Sequence, residues 1–190
     1  MATSTNSMTA EQLFALPNSG GPSELVRGER RMMTPAGYDH GRIENRLNYV
    51  LTHFVEQHGL GAVLTSDTGF LLARNPDTVR CADVAFILQE RIEPPGRQGP
   101  YYPGAPDLAI EIASPSDRTG EIDEKVQDWL AHGCQVVWLV NPQWRTVTVY
   151  RSDADIKLFT EADTLDEPTL LPGFCLLVRQ IFEPKVRPTP

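Results

Sequence analysis

Apolar side chains recur along this chain with two periods, and the switches between them outline its elements. Between Gly37 and His58, the residues Ile43, Leu47, Val50, Leu51 and Phe54 fall at helical spacing, and Gly59 and Gly61 supply the stop. His40 and Glu44 lie on the border of that stripe, either as a helix-surface pair or directed into the edge of a sheet. A shorter helix is predicted over residues 9–16, where Thr-x-x-Gln forms a capping box. SELVRGERRMM carries too much charge for a buried strand and reads as an edge strand or a hairpin around Gly28. Strand patterns follow in GAVLTSDTGFLLA, TVRCADVAFIL and DLAIEIAS. The first two form a meander across the turn-rich RNPD, and the third returns after a long loop over residues 90–105. A helix over residues 121–132, closed by Gly133, then leads to the solid apolar run QVVWLV. Strand, helix and strand make a βαβ unit whose last strand is buried on both faces. TVTVYR after NPQW closes a hairpin, and IKLF and CLLV are further strand candidates.

The predicted class is therefore α/β with a mixed sheet, and 190 residues suffice for one well-buried core. A single domain is expected over residues 9–183, between flexible ends at 1–8 and 184–190. A formal charge of -8 argues against coating nucleic acid nonspecifically, because that affinity comes from Lys and Arg displacing counterions. Arg27, Arg30, Arg31, Arg42 and Arg46 nevertheless cluster before and on the long helix. The three cysteines, Cys81, Cys134 and Cys175, are far apart and support neither a disulfide framework nor a structural zinc site. No basic segment leads into an apolar run and no stretch has the length of a membrane span, so a cytoplasmic protein without membrane association is expected.

Chemistry enters at DLAIEIAS. Residues two apart on a strand share a face, which puts Asp107, Ala109, Glu111 and Ala113 on one side. Asp83 is in a similar position, set among Ala82, Val84, Ala85 and Phe86. Acids on strands that feed a core need compensation, by arginines such as Arg80 or Arg118 or by a bound cation. Three carboxylates from adjacent strands, Asp83, Asp107 and Glu111, form a hard-oxygen set suited to Mg2+ or Mn2+. A lysine is expected beside them, yet Ala113 stands two residues after Glu111. Lys125, bordering the apolar face of the next helix beside Trp129, is the candidate.

SELVRGE, the helix beginning HGRI, ADVAFI, APDLAIEIASPSD, the EK pair and GCQVVWLVNPQWRTVTVYR together resemble a largely uncharacterised bacterial family of restriction endonucleases of PD-(D/E)XK type. The resemblance runs from Thr9 to Glu183. It implies a restriction-endonuclease-like core, a mixed β-sheet flanked by helices. It further implies Asp83 or Asp107 as the motif aspartate, Glu111 as the second acid, Lys125 as a lysine moved onto the helix, and Glu44 as a first-helix acid. The activity implied is Mg2+-dependent hydrolysis of DNA phosphodiesters, leaving 5′-phosphates and carried out by a homodimer. Two other classes compete: a catalytically idle module that binds DNA or protein, and a metal phosphohydrolase acting on small nucleotides.

Overall fold

A computed structural model describes residues 7–17, 21–92, 99–114, 119–152 and 154–183. The flexible tail expected at 184–190 lies outside the described residues, as do most of the expected N-terminal segment 1–8, the centre of the loop 90–105, and Arg118. The chain opens with helix α1 (Ala10–Phe14), whose capping box is formed by Thr9 and Gln12 as predicted. Strands β1 (Ser23–Val26) and β2 (Glu29–Met32) form a hairpin in which Val26 faces Glu29. Both residues of its turn, Arg27 and Gly28, have positive φ, the backbone that a two-residue loop requires to match strand twist. Gly28 is needed twice over, since a Cβ there would meet the Ser7 Cβ at 2.4 Å.

Helix α2 (Tyr38–His58) ends on Gly59 in the left-handed conformation. Strands β3 (Gly61–Thr65), β4 (Gly69–Ala73), β5 (Thr78–Cys81) and β6 (Val84–Leu88) follow. Here the meander expected from sequence is corrected. GAVLTSDTGFLLA and TVRCADVAFIL are not single strands; each divides between two sheets, at a turn after Thr65 and at a break over Ala82 and Asp83. The apolar pattern of TVRCADVAFIL is continuous because both of its halves are buried at successive positions, and burial does not name a partner strand.

The remaining strands are β7 (Tyr102–Pro103), β8 (Leu108–Ile112), β9 (Val136–Asn141), β10 (Thr146–Ser152), β11 (Asp155–Phe159), β12 (Thr164–Glu167) and β13 (Leu171–Leu177). Helix α3 (Thr119–Ala131) joins β8 to β9, which pair in parallel as the βαβ reading requires, and α4 (Arg179–Phe182) follows β13. The central sheet has the order β11-β10-β9-β8-β6-β3, and a second sheet has the order β2-β1-β5-β4-β7. β1 is thus interior to its sheet, and β2 is the edge.

Two apolar clusters cover the two faces of the central sheet. On one, Ile43, Leu47 and Leu51 of α2 meet Phe86, Leu108, Ile110 and Trp138. On the other, Val126 and Trp129 of α3 meet Ala85, Ala109, Val137 and, from the second sheet, Phe70. Alternation along β8 therefore sends Leu108, Ile110 and Ile112 toward α2, leaving the face of Ala109 and Glu111 to α3. No helix of the described residues is long and apolar enough to cross a membrane.

Burial also decides the cysteine chemistry. It pushes the thiols of Cys81 and Cys134 up to about 12, whereas Cys175 is exposed. Because the thiolate is the reactive form, iodoacetamide at mildly alkaline pH should label Cys175 alone in the folded protein and all three cysteines in urea. Peptide mass spectrometry reads the result, and rapid native labelling of Cys81 or Cys134 would contradict it.

Candidate active site

Glu111 sits near the C-terminal end of β8, 6% exposed, with its carboxylate held from α3. Lys125 Nζ donates to Oε2 at 2.8 Å and Trp129 Nε1–H donates to Oε1 at 2.7 Å. Lys125 and Trp129 are four apart on a helix, so they share one face and approach the carboxylate side by side. Burial raises the Glu111 carboxyl to about 7, Asp83 adds to the rise, and Lys125 opposes it. On Lys125 itself burial favours the neutral amine, but Glu111, Glu24 and Asp83 outweigh it and hold the ammonium above its ordinary value.

Asp83 is brought to the same place by pairing. β6 and β8 are antiparallel with Val84 opposite Ile110, which sets Asp83 across from Glu111. Its Oδ2 accepts the Ile112 N–H at 2.7 Å and lies 3.3 Å from His40 Nε2. His40 in turn faces Glu44, with 3.9 Å between Nδ1 and Oε2. Burial raises the Glu44 carboxyl, a hydrogen bond with Ser66 opposes that, and the Asp83 charge adds to the rise. Asp83, Glu111, Lys125, His40 and Glu44 thus form one neighbourhood, built from β6, β8, α3 and α2.

Asp107 does not join it. Four residues along a strand at roughly 3.3 Å each leave it about 13 Å from Glu111. Its side chain is fully buried among different partners. Oδ2 accepts the Leu88 N–H at 2.9 Å, and Oδ1 accepts from Arg91 at 2.7 Å and from Gln135 Nε2 at 2.8 Å. The grouping of Asp107 with Asp83 and Glu111 is therefore corrected: a shared face is not a shared level along the strand. Asp107 instead ties the 3-10 turn Gln89–Arg91 to the starts of β8 and β9.

Two contributors, Trp129 and Glu24, escaped the sequence reading, and Arg80, expected as a partner of Asp83, Asp107 or Glu111, pairs instead with Glu24 and Asp128. Trp129 was expected only as core, although its spacing from Lys125 signalled a shared target. Glu24, on β1, lies 3.4 Å from Lys125 Nζ and accepts the Cys81 N–H at 2.9 Å. Arg80, 3% exposed, donates to Glu24 at 2.8 Å and to Asp128 of α3 at 2.6 and 2.9 Å. The arginine cluster is likewise occupied: Arg27 and Arg31 pair with Glu124, Arg42 donates to the Phe182 carbonyl and Arg46 to that of Gln180. Trp144, at the β9–β10 turn, is 72% exposed.

The donor chemistry suits a hard divalent cation of the magnesium kind, with a condition. Among the described residues no three His, Cys, Asp or Glu side chains form a ready-made metal cage. Mg2+ does not need one; it usually takes one or two carboxylates and completes its shell with water and substrate phosphate. Asp83 and Glu111, opposed in register, with the Asp83 charge adding to the rise of the Glu111 carboxyl, are the pair that could hold the cation.

No protein of curated function matches this sequence. A crystal structure described as a putative nuclease belonging to DUF820, from Anabaena variabilis, superposes with a TM-score of 0.81 at 22% identity, covering 92% of this chain and 97% of that one. At that identity the likeness speaks to the fold, a mixed sheet flanked by helices as the resemblance implied. The model of the Uma2 family, described as putative restriction endonucleases, matches residues 10–179, and with that span the chain belongs to this family.

Proposed function

We propose that the protein is a Mg2+-dependent endonuclease that hydrolyses DNA phosphodiester bonds at the site formed by Asp83, Glu111 and Lys125. The observation that carries this reading is the Lys125–Glu111 contact opposite Asp83: an acid pair and a lysine meet although Ala113 fills the strand position. Membership of a restriction endonuclease family supports DNA as the substrate. Asp83 and Glu111 would hold Mg2+ or Mn2+, which when bound supplies Lewis-acid polarisation of the scissile phosphate and a more acidic water. The Lys125 ammonium stabilises charge developing on the phosphoryl oxygens. Trp129 fixes one Glu111 oxygen, and the other, which Lys125 holds, is the one that would be offered to the cation. His40 orients Asp83, and Glu44 stands behind both as a further acid. Cleavage of both strands calls for two such sites, so a homodimer is part of the proposal.

The test is incubation of the purified protein with supercoiled plasmid, oligonucleotides and nucleotides, with Mg2+, with Mn2+ and with chelator. Nicked and linear DNA with 5′-phosphate ends should appear with metal and vanish with chelator. Turnover of nucleotides alone would replace the endonuclease by a phosphohydrolase. Calorimetric metal binding without any turnover would replace it by an idle module.

A further inference from the structure

We propose that Glu24 is the positioning residue for Lys125, so that the β1–β2 hairpin holds in place a lysine that the β8 strand does not itself carry. The inference rests on the nuclease reading for what Lys125 does, but the geometry stands apart from it. Lys125 Nζ lies between two carboxylates, Glu111 at 2.8 Å and Glu24 at 3.4 Å. Glu24 is not a surface acid that happens to be near. Alternation along β1 sends Leu25 into the cluster of Ala10, Leu13 and Val79, and Glu24 to the opposite face, 6% exposed. There its Oε2 is fixed by Arg80 and its Oε1 by the Cys81 N–H.

The same Arg80 grips Asp128, one turn along α3 from Lys125, and Arg27 and Arg31 of the hairpin hold Glu124 beside it. One buried guanidinium thus registers both the carboxylate and the helix that presents the amine. The need follows from where the lysine sits. A lysine two residues after Glu111 would share its strand and face, whereas one reaching from a helix on a four-carbon stem has rotamers to lose. With Glu111 engaged by a bound cation, Lys125 would lose its nearer partner, and Glu24 would keep the ammonium in the site.

The chain has three lysines, Lys125, Lys157 and Lys185, so 15N-lysine labelling gives a spectrum simple enough to assign with a Lys125→Arg variant. In metal-free wild type, Lys125 should show a slowly exchanging ammonium signal, and Glu24→Gln should remove it. In the cleavage assay the same variant should lower kcat by about 10²-fold, the scale of a misplaced group, with KM changed by less than about twofold. Glu167→Gln is the control, because it breaks the buried Glu167–Arg151 pair, which touches none of Glu24, Arg80 and Lys125; it should lower the melting temperature and leave both the ammonium signal and kcat in place. The proposal is overturned by a Lys125 signal that survives Glu24→Gln, by its absence from wild type, or by a Glu167→Gln variant that reproduces both losses. Should Glu24→Gln not fold, Glu24→Asp keeps the charge for Arg80 while withdrawing the carboxylate by a methylene, and must show the same loss of signal. A wild type that cleaves no DNA would sink the nuclease reading, while the ammonium signal still decides the positioning role.

Discussion

Glu111→Gln is expected to reduce metal-dependent DNA cleavage by at least about 10³-fold, or about 4 kcal/mol of transition-state stabilisation, without unfolding the protein. The substitution keeps shape and volume. The amide oxygen can still accept from Trp129 Nε1–H, but the amide nitrogen then faces the Lys125 ammonium, donor against donor. Two effects on stability oppose each other. The ion pair with Lys125 is lost, and so is the cost of ionising a carboxyl that burial has already raised to about 7. Replacing a buried charge commonly comes out near neutral for this reason, so the melt should move by only a few degrees. Activity has no such offset, since a neutral amide is a poor partner for a hard cation and no longer anchors the ammonium. Lys125→Met should lose cleavage to a similar extent, and the double variant should lose little more, as befits groups that act as a unit. Cleavage by Glu111→Gln within about tenfold of wild type would remove Glu111 from the reacting atoms.

Much of this site was legible from residue order, and the parts that were not share a cause. The helix that became α2 was readable from its apolar stripe, and the approach of His40 and Glu44 to a sheet edge was one of the two readings their border position allowed. Lys125 was readable because it borders the apolar face that docks α3. What local pattern does not carry is which strand lies beside which. SELVRGERRMM looked too charged to be buried, yet β1 is interior, because the charge on Glu24 is met by Arg80, 56 residues away. That compensation is invisible until both strands and α3 are in place. The continuous burial of TVRCADVAFIL concealed a change of sheet, and the break that makes the change sets Asp83 just before β6, opposite Glu111. Parity misled in the same way at Asp107, where it gave the right face and the wrong level.

Asp107→Ala is expected to lower stability by about 3–4 kcal/mol, the scale for breaking a buried, hydrogen-bonded ion pair. For a chain of this size that corresponds to a melting point roughly 10 °C lower. The carboxylate is fully buried and accepts three hydrogen bonds, from the Leu88 N–H, Arg91 and Gln135. Removing it strands the Leu88 N–H and the Gln135 amide away from water, each costing about 1–3 kcal/mol. Arg91 is about one-third exposed and can turn outward, which keeps the total below the sum of the parts. The effect should be confined to stability. Well below the melting transition, Asp107→Ala should cleave DNA at a rate within about threefold of wild type, because no contact of Asp107 reaches Lys125, Asp83 or Glu111. Thermal melts with and without Mg2+, paired with the plasmid assay, separate this from the role the sequence suggested. An Asp107→Ala protein that melts like wild type yet neither binds metal nor cuts DNA would return Asp107 to the metal site. A destabilised but active one places the chemistry of PDLAIEIAS on Glu111 and gives its first acid to the fold.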